Sequence, residues 1–357
     1  MCTHNQPVRG RGATCNPANR FNQCSLEAFD DGWGSLDAPV DKLKTELHAD
    51  FCNSALVFNQ SPDIPFDRSL NPYRGCEHGC VYCFARPSHA WLDCSPGLDF
   101  ETRIFYKQDA ASLLRGQIGK RSYCCKPLAL GANTDAYQPA ERKLGITRSL
   151  LKVLYEHRHP VAITTKSALV ERDIDLLATM SEQNLVHVML SVTTLDRKLA
   201  RSLEPRAAAP QRRLETIRRL RNAGIPVGVL IAPVIPVLND AEIETILDTV
   251  RAAGAVTAGY IMLRLPHELG ELFSRWLELH RPLTSRHVMN RLKEMRNGKC
   301  NDSRFGTRMR GTGIYAQLIR KRFDTAKKKL DFPGMPEFDC SRFRITADAG
   351  GQLSLLP

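Results

Sequence analysis

The sequence predicts an α/β fold whose core is a parallel sheet flanked by helices. Between Phe100 and Leu263, short apolar segments typical of buried strands alternate with segments of helical periodicity. Strands that are connected by helices at this spacing form right-handed βαβ units, and about six such units fit in the chain. The core is therefore an open sheet or a barrel with fewer strands than a complete (β/α)8 barrel.

The predicted elements follow in a regular order. Strands are predicted at 101–106, 126–130, 161–165, 186–192, 227–231 and 258–263. Helices between them are predicted at 148–157, 173–183, 212–223 and 240–253. Gly224 and Gly254 directly follow two of these helices, as expected of residues that end a helix, and Asp240 is a predicted N-cap.

Segments without this alternation flank the predicted core, which spans residues 61–268. Residues 1–60 are predicted to form an irregular arm with one short amphipathic piece around 41–48. Residues 269–331 form a basic helical appendage with helices at 269–280, 285–297 and 315–330. Residues 332–357 lose periodicity and form a predicted tail.

Composition excludes several classes of protein. Apolar residues make up 43% and charged residues 25% of the chain, as in globular proteins and unlike disordered or collagen-like chains. The longest apolar stretch, 225–238, is too short for a bilayer span and contains three prolines. The N-terminal residues lack the continuous apolar segment of a signal peptide, so we expect a cytoplasmic protein.

The charge is concentrated in one region. The formal net charge is +12, and the segment from Arg281 to Leu330 alone has 15 basic and 3 acidic residues. Two interpretations remain open for this segment: a solvated helical face, or a surface that binds a polyanion, with nucleic acid favoured over a membrane.

Three cysteines are regularly spaced. Cys76, Cys80 and Cys83 form a C-x3-C-x2-C pattern, and in a reducing compartment such spacing favours metal binding over disulfides. His78 offers a fourth ligand for a zinc site, although a ligand inside so short a loop is sterically awkward. Three thiolates on a four-iron cluster instead leave one iron open for an exchangeable ligand.

The cysteine pattern resembles that of the radical S-adenosylmethionine (SAM) enzymes, in which an aromatic residue, here Tyr82, precedes the third cysteine. The segments that carry a closer resemblance are SPDIPFDRSLNPYRGCEHGCVYCFARPSHAWL, GANTDAYQPAE, TTKSALVERDIDLL, SVTTLDRKLARSLEPRA, APVIPVLND and RMRGTG. They are similar to a bacterial subfamily that is related to spore photoproduct lyase and often labelled DNA repair photolyase. This resemblance covers roughly Arg9 to Gly313.

The resemblance implies a partial (β/α)6 TIM-like barrel and a lyase or modification enzyme. It implies a [4Fe-4S] cluster on Cys76, Cys80 and Cys83 and reductive cleavage of S-adenosylmethionine to a 5′-deoxyadenosyl radical. An electron donor such as flavodoxin or ferredoxin is implied as well. The cofactor supplies the difficult chemistry, and the protein orients it and excludes competing reactions.

The resemblance also implies cofactor contacts at the ends of the second and third strands. Asn133, Thr134 and Asp135 occupy the position that contacts the methionyl amino group, although an ordinary Asn/Asp turn is the alternative. Lys166 and Ser167 match a polar position that faces the cofactor in the lyase branch. Because the sequence offers no nearby acid, Lys166 is expected to meet an anion such as the methionyl carboxylate.

Later positions match further cofactor contacts. Ser191, Thr193, Glu204 and Arg206 resemble ribose and carboxylate contacts, with a surface ion pair as the alternative for the last two. Asn239 is a predicted contact to adenine or ribose, with helix capping as the alternative.

Substrate-side candidates follow the second and sixth strands: Tyr137, Gln138, Glu141, Arg264 and His267. One departure from spore photoproduct lyase concerns its hydrogen-donating cysteine, because Ala132 stands at the aligned position. This departure argues against thymine-dimer lysis itself. The candidate replacement donors are Cys94, Cys124, Cys125 and Cys340. Isolated cysteines are, however, more often small buried apolar residues than hydrogen donors.

Three classes of function are compatible with these features. The favoured one is a radical enzyme acting on nucleic acid, which combines the cysteine triplet with the basic segment. The alternatives are a radical enzyme acting on a protein or small molecule, and a non-enzymatic iron-sulfur or zinc module that binds nucleic acid. Against the first stands the aromatic content of only 7%, scattered through the chain, which predicts no base-stacking platform.

The C-terminal pentapeptide Gln352 to Leu356 resembles the short motif by which bacterial polymerases and repair proteins bind the sliding clamp. Leu353, Leu355 and Leu356 offer apolar anchors, and Gln352 offers an amide. The alternative is a frayed terminus whose leucines pack on the body. The sequence thus predicts a clamp as a further partner.

Overall fold

A computed structural model describes residues 8–21 and 43–345, in which ten strands form two sheets. The strands are β1 (Glu46–Ala49), β2 (Leu56–Phe58), β3 (Arg68–Leu70), β4 (Tyr73–Arg74), β5 (Arg103–Tyr106), β6 (Leu128–Leu130), β7 (Val161–Thr165), β8 (Val186–Ser191), β9 (Val227–Val234) and β10 (Thr257–Met262). The larger sheet has the order β10-β9-β8-β7-β6-β3-β2, and the smaller sheet has the order β1-β5-β4.

Six strands of the larger sheet, β3 and β6 to β10, run parallel, and β2 is an antiparallel edge strand. The α-helices are α1 (Asp99–Thr102), α2 (Ala110–Ile118), α3 (Glu141–Leu144), α4 (Ile146–Glu156), α5 (Ile174–Ser181), α6 (Arg197–Leu203), α7 (Pro210–Asn222), α8 (Ile243–Ala252), α9 (Leu269–His280), α10 (Ser285–Glu294) and α11 (Gly313–Lys329). This arrangement confirms the predicted α/β class and the partial, six-stranded barrel.

The first strand of the core was predicted wrongly. Residues 101–106 were expected to open the parallel sheet, but residues 99–102 form α1, and β5 lies in the smaller sheet. The core opens instead with β3, which ends six residues before Cys76. β3 has only three residues and begins with Arg-Ser, so it lacks the apolar run by which a buried strand is predicted from the sequence. Arg68 is nevertheless buried, because it pairs with Asp67 and donates a 2.6 Å hydrogen bond to the Cys124 carbonyl.

The main core lies between the parallel sheet and the helices that connect its strands. In β7 the side chains alternate between buried and half-buried positions, and in α4 the fully buried Leu150, Leu151 and Leu154 face the sheet. Each such side chain contributes about 1.5–3 kcal/mol by leaving water. α7 ends as predicted at Gly224, where φ is +78° and the following Ile225 amide bonds back to the Leu220 carbonyl.

The three predicted C-terminal helices are present as α9, α10 and α11. α9 belongs to a second core beneath the cysteine segment, in which Phe273 and Trp276 pack with Val81, Tyr82 and other apolar residues. The Trp276 indole donates a 3.0 Å hydrogen bond to the Ser202 carbonyl. The appendage therefore supports the cysteine segment rather than standing apart from it.

Residues 332–345 cross the N-terminal ends of the strands, opposite the cysteine segment. The Gly334 amide bonds to the Val256 carbonyl at 2.8 Å, and the Asp339 amide bonds to the Asn184 carbonyl at 3.1 Å. The predicted clamp-binding pentapeptide, Gln352 to Leu356, lies outside the described residues. In the described ranges no helix has the length and apolar character of a membrane span.

Candidate functional site

The three regularly spaced cysteines lie in one buried loop after β4, at the C-terminal end of the parallel strands. The Cys76 amide donates to the Phe100 carbonyl at 2.8 Å, and the Val81 amide donates to the Leu203 carbonyl at 3.1 Å. Cys76 and Cys80 are buried, and Cys83 is half-buried. The cysteine loop is thus fixed between α1 and the end of α6.

A buried ion pair between Arg86 and Glu101 packs against this loop and holds it in place. Both side chains are fully buried, and the Arg86 guanidinium also donates to the Cys80 carbonyl at 2.9 Å. The Glu101 carboxylate accepts the Gly12 and Ala13 amides at 2.9 and 2.8 Å. The N-terminal arm, predicted only as irregular, is therefore part of the site.

The loop needs glycine at Gly79. Its φ is +69°, and a Cβ there would lie 2.7 Å from a carboxylate oxygen of Glu101. Any larger residue would separate the loop from the ion pair that holds it.

The cysteine side chains are suited to a shared metal cluster by their chemistry and by their burial. Burial raises the pKa of all three thiols, and for Cys76 the neighbouring Asp135, Cys80 and Cys83 raise it further. Cysteine thiolates are the donors that hold an iron-sulfur cluster. Within residues 8–21 and 43–345, no three His, Cys, Asp or Glu side chains are arranged as around a bound metal ion.

His78, the alternative zinc ligand, is directed to a carboxylate. Its Nδ1 lies 3.3 Å from Oδ2 of Asp135, and its backbone carbonyl accepts the Arg206 amide at 3.2 Å. The Asp135 carboxylate also accepts the Thr165 hydroxyl and the Lys166 amide, both at 2.7 Å. His78 thereby connects the cysteine loop to the ends of β6 and β7.

Lys166 has a buried acidic partner, contrary to the sequence prediction. Its Nζ lies 3.5 Å from Oε1 of Glu204 and 3.2 Å from the Ala232 carbonyl. Glu204 also pairs with the buried Arg213 and accepts hydrogen bonds from Tyr82 and, at 2.6 Å, from Thr193. The partner was not evident because it lies 38 positions further along the chain, in the segment after α6.

Among the described residues, the charged side chains of this network carry an excess of one positive charge. Lys166 and Arg213 contribute two cations and Glu204 one anion. Burial alone would raise the pKa of Glu204, but Arg213 and Lys166, with hydrogen bonds from Thr193 and Tyr82, hold that pKa well below its usual range. An uncompensated cation beside Cys80 suits an anionic group in the adjoining space.

Arg206 forms a partly buried ion pair, not the surface ion pair considered as its alternative. It pairs with Glu77 of the cysteine loop at 3.0 Å, and Glu77 also accepts the Thr45 hydroxyl at 2.7 Å. Ser191 is buried at the end of β8, and its carbonyl accepts a 3.0 Å hydrogen bond from Arg213. The side chains of Glu204 and Arg206 are thus both engaged within the protein.

The turn after β6 is the Asn/Asp turn considered as an alternative. Oδ1 of Asp135 accepts the amide of Tyr137 at 2.8 Å. Asn133 is exposed, whereas the Thr134 hydroxyl donates to the Tyr73 carbonyl at 2.6 Å. Ser167 caps the next short helix by accepting the Leu169 amide at 3.2 Å.

Asn239 fixes the loop after β9. Its Nδ2 donates to the Thr193 and Pro233 carbonyls at 2.7 and 3.0 Å, and its Oδ1 accepts the Ile235 amide at 2.6 Å. It is the N-cap residue of the short 3-10 helix that follows, although its side chain makes no capping hydrogen bond. The side chain holds the strand ends around Thr193 in place.

Three substrate-side candidates are fully buried, which corrects their predicted position, and one of them, Gln138, contacts the cysteine loop. Gln138 accepts the Glu77 amide at 2.9 Å and donates to the Gly75 carbonyl at 3.1 Å. The Tyr137 hydroxyl donates to Asp173 at 3.0 Å. Glu141 accepts hydrogen bonds from Tyr73, Arg172 and the Thr147 amide.

The other two candidates, Arg264 and His267, are accessible to solvent, at least in part. The Arg264 guanidinium stacks over Phe84, 4.7 Å from the ring centroid, and no other residue of the described chain forms a hydrogen bond or ion pair with it. Burial lowers the pKa of Arg264, and nearby Arg308 lowers it further. His267 is exposed and has a φ of +52°.

Three of the other cysteines considered as hydrogen donors lie far from the cysteine loop. Cys125 and Cys340 interact through their side chains near the N-terminal end of β6, and exposed Cys124 lies beside them, at the opposite end of the strands from the cysteine loop. Cys94 is buried, and its thiol donates to the Leu92 carbonyl.

Comparison with known proteins agrees with this site. Residues 70–250, half of the chain, match the sequence model described as the radical SAM superfamily. An uncharacterized protein of Mycobacterium tuberculosis is 38% identical over 252 residues, which are 66% of this chain and 74% of that protein. An uncharacterized protein of Methanocaldococcus jannaschii is 29% identical over 173 residues, which are 48% of this chain and 62% of that protein.

Solved structures of spore photoproduct lyase have a similar fold. The enzyme complexed with dinucleoside spore photoproduct matches with a TM-score of 0.54 at 16% identity, covering 80% of each chain. A mutant with bound AdoMet and the same photoproduct matches with a TM-score of 0.52, covering 77% of each chain. The likeness at this identity concerns the fold. Taken with the family match and the cysteine loop, it confirms the resemblance seen in the sequence: the chain is an enzyme that belongs to the radical SAM superfamily.

Proposed function

We propose that this enzyme holds a [4Fe-4S] cluster on Cys76, Cys80 and Cys83 and starts radical chemistry on nucleic acid. When bound, such a cluster supplies an open iron and the electron for reductive cleavage of S-adenosylmethionine. The protein's part is to hold the thiolates in a buried loop, to balance their charge, and to bring the substrate to the opening. A donor such as flavodoxin or ferredoxin would deliver the electron.

The cysteine loop fits this role because rigid contacts surround it. The Arg86–Glu101 ion pair is attached to the loop, and Glu101 binds two amides of the N-terminal arm. These contacts exclude water and restrict the backbone, which leaves the three sulfurs as the adjustable groups. The family match supports a cluster and S-adenosylmethionine as cofactors.

The buried network around Lys166 is suited to an anionic neighbour. Three thiolates and a methionyl carboxylate are all anionic, and the excess positive charge of Lys166 and Arg213 over Glu204 lies beside Cys80. We assign Lys166 to the methionyl carboxylate, with Thr193 and Ser191 beside it at the strand ends. Asn133, Thr134 and Asp135 remain the proposed contacts for the amino group, and Asn239 keeps the adjoining loop in position.

The observation that favours nucleic acid is Arg264. In the described chain Arg264 is partly buried and forms no ion pair, although Asp63 and Cys83 lie within electrostatic reach of it. A buried guanidinium that no anion pairs with directly is costly. Arginine is well suited to phosphate, which it binds in two-pronged geometry. Spore photoproduct lyase, whose fold this chain shares, has been solved with a dinucleoside lesion in its complex. A phosphate of the substrate is therefore the proposed partner of Arg264.

The basic segment 281–330 contributes unevenly to this proposal. Several of its cations are already engaged within the protein: Arg291 with Glu294, Arg296 with four carbonyls, Arg304 with Asp302, Arg308 with Asp63 and Arg322 with Glu244. Lys327 donates to the Ala258 carbonyl at 2.8 Å, at the start of β10. Lys327 to Lys329 thus lie at the end of the strands opposite the cysteine loop, where they add general attraction to a polyanion.

The test is anaerobic incubation of the reconstituted protein with reductant, S-adenosylmethionine and nucleic acid. We expect about one four-iron cluster per chain and formation of 5′-deoxyadenosine whose yield rises when nucleic acid is added. The variant with Cys76→Ala, Cys80→Ala and Cys83→Ala should lose its iron and its visible absorption band, whereas Cys52→Ala should keep both. Zinc without iron, or a yield indifferent to nucleic acid, would contradict the proposal.

The pentapeptide Gln352 to Leu356 supports a sliding clamp as a second proposed partner. Gly350 and Gly351 precede it in the sequence, and a docked tail would hold the enzyme near DNA at high effective concentration. A peptide of residues 345–357 should bind a bacterial clamp with a dissociation constant of about 1 μM, roughly −8 kcal/mol. Replacing Gln352 and Leu353 by Ala should remove that binding.

A further inference from the structure

We propose that exposed aromatic side chains beside the cysteine loop form a platform on which the bases of an unpaired nucleic-acid strand stack. The platform consists of Phe21, Phe84 and Trp91, with Arg20 and Arg264 between and beside the rings. This inference rests on the proposed function and names the state in which the substrate is bound.

The first observation is the exposure of the rings. Trp91 is 72% exposed, Phe21 is 47% exposed and Phe84 is 41% exposed. The rings of Phe21 and Trp91 contact each other with centroids 4.3 Å apart, so they present one joined apolar surface. A cluster of large exposed aromatic groups, rather than a single one, marks a binding surface.

The second observation is that the platform extends directly from the cysteine loop. Phe84 immediately follows Cys83, and the short 3-10 helix Arg86–Leu92, which carries Trp91, begins with a 3.1 Å hydrogen bond from the Arg86 amide to the Cys83 carbonyl. Five residues of such a helix rise about 10 Å, which is the length of about three stacked bases. A strand lying on this surface would therefore reach from Trp91 to the opening beside Cys83.

The third observation is that Arg20 joins the two ends of the surface. Its guanidinium lies 4.6 Å from the Phe21 ring centroid, donates to the Pro87 carbonyl at 3.1 Å, and pairs with Glu268 at 3.0 Å. Glu268 lies in the same loop as Arg264, which stacks on Phe84. Both arginines thus lie against platform rings on one side of the cysteine loop.

The pairing of aromatic and guanidinium groups identifies the occupant. An apolar protein partner would match the rings but not the cation of Arg264, which forms no ion pair with a described residue. A nucleic-acid strand matches both, because bases stack on rings and phosphates bind guanidinium groups. Duplex nucleic acid keeps its bases stacked inside, so the platform is suited to unpaired bases. The aromatic content of 7% predicted no such platform. Composition does not show that aromatic residues distant in sequence lie together in the fold.

The decisive variant is Trp91→Ala, measured by fluorescence anisotropy with labelled oligothymidylate and oligouridylate at one fixed salt concentration. Stacking contributes about 1–3 kcal/mol per base, so we expect affinity to fall roughly 5- to 150-fold. Trp91→Phe should restore most of the affinity. Phe51→Ala, which removes an aromatic group that is 83% exposed elsewhere, should leave affinity unchanged. Iron content and the melting temperature confirm that each variant is folded.

The outcomes separate this inference from the proposed function. If the native enzyme binds single strands and Trp91→Ala binds them equally well, the platform is wrong and the proposed function stands. If the native enzyme binds neither oligonucleotide nor duplex, both are wrong. A larger loss with oligothymidylate than with oligouridylate would support a DNA strand on the platform, and the reverse an RNA strand.

Discussion

Gly12 of the N-terminal arm lies directly against the backbone of Gly79 in the cysteine loop. A Cβ at position 12 would stand 1.7 Å from the Gly79 carbonyl oxygen and 3.3 Å from the Val81 amide nitrogen. Backbone cannot move aside as a flexible side chain does, so only glycine permits this approach. The arm and the loop therefore form one unit, although residues 13 to 78 separate Gly12 from Gly79 in the sequence.

Gly12→Val should expel the arm and weaken cluster binding. Displacement removes the two amides that Glu101 accepts, and hydrogen bonds to a buried charge are worth about 1.5–3 kcal/mol each. We expect the free energy of unfolding to fall by about 3 kcal/mol and iron content after anaerobic reconstitution to fall with it. Gly116→Ala is the matched control, because a Cβ at that helical position meets no atom within 4 Å. Full iron content in Gly12→Val would refute this role of the arm.

The stability of the protein should fall as the pH drops below neutrality. Burial lowers the pKa of His89, His159 and His187 to about 4 each. A histidine held neutral in the fold contributes stability that is fully present above its unfolded pKa of about 6.5 and is lost as the pH falls toward 4. Each contributes about 3 kcal/mol above that window. Urea unfolding at several pH values between about 5.5 and 7.5 measures the slope.

His187→Phe is the variant that tests this assignment. The imidazole stacks on Phe338 with centroids 3.8 Å apart, and its Nε2 has no hydrogen-bond partner in the described chain, so a phenyl ring preserves the packing. We expect the dependence of stability on pH to decrease by up to about 1.4 kcal/mol per pH unit, the amount for one proton. An unchanged slope would show that His187 does not take up a proton on unfolding.

The sequence was sufficient for the strands β6 to β10 because their signals are local. Each is an apolar run followed by a segment of helical periodicity, and no distant partner is needed to recognise it. β3 was missed because its three residues include a charged one, which is buried only through contacts with Asp67 and the segment at Cys124. Short strands depend on tertiary contacts that local pattern does not contain.

The same distinction between local and distant signals separates the site residues that were predicted correctly from those that were not. The cysteine spacing is a local pattern and identified the loop. Glu101 was assigned to a strand, because its partners Gly12 and Arg86 lie in two other segments. The partner of Lys166 was missed for the same reason, and Tyr137 was placed on the substrate side because sequence order does not show which way a side chain points.

Lys166→Met should impair cofactor binding while the cluster is retained. The change removes the excess positive charge of the buried network and leaves Glu204 paired with Arg213. Loss of one hydrogen bond to a charged ligand group corresponds to a roughly tenfold weaker affinity for S-adenosylmethionine. Equilibrium dialysis with the reconstituted protein measures it, and Lys198→Met, at an exposed position of α6, is the control. Equal affinities in the two variants would remove Lys166 from the cofactor site.

Arg264→Ala should reduce nucleic-acid affinity more than reversal of the lysines at the end of α11. Arg264 lies within electrostatic reach of Cys83 and forms no ion pair with a described residue, whereas Lys328 and Lys329 lie at the opposite end of the strands. Loss of one phosphate contact lowers the slope of log affinity against log salt by about 0.7–0.9, and Arg264→Ala should show this change together with loss of nucleic-acid-dependent 5′-deoxyadenosine. Lys328→Glu with Lys329→Glu should weaken attraction at low salt yet preserve that dependence. Lys327 is left unchanged because its contact with Ala258 is structural. If the lysine variant alone lost the dependence, the substrate would bind at the other end of the barrel and the assignment of Arg264 to a phosphate would be wrong.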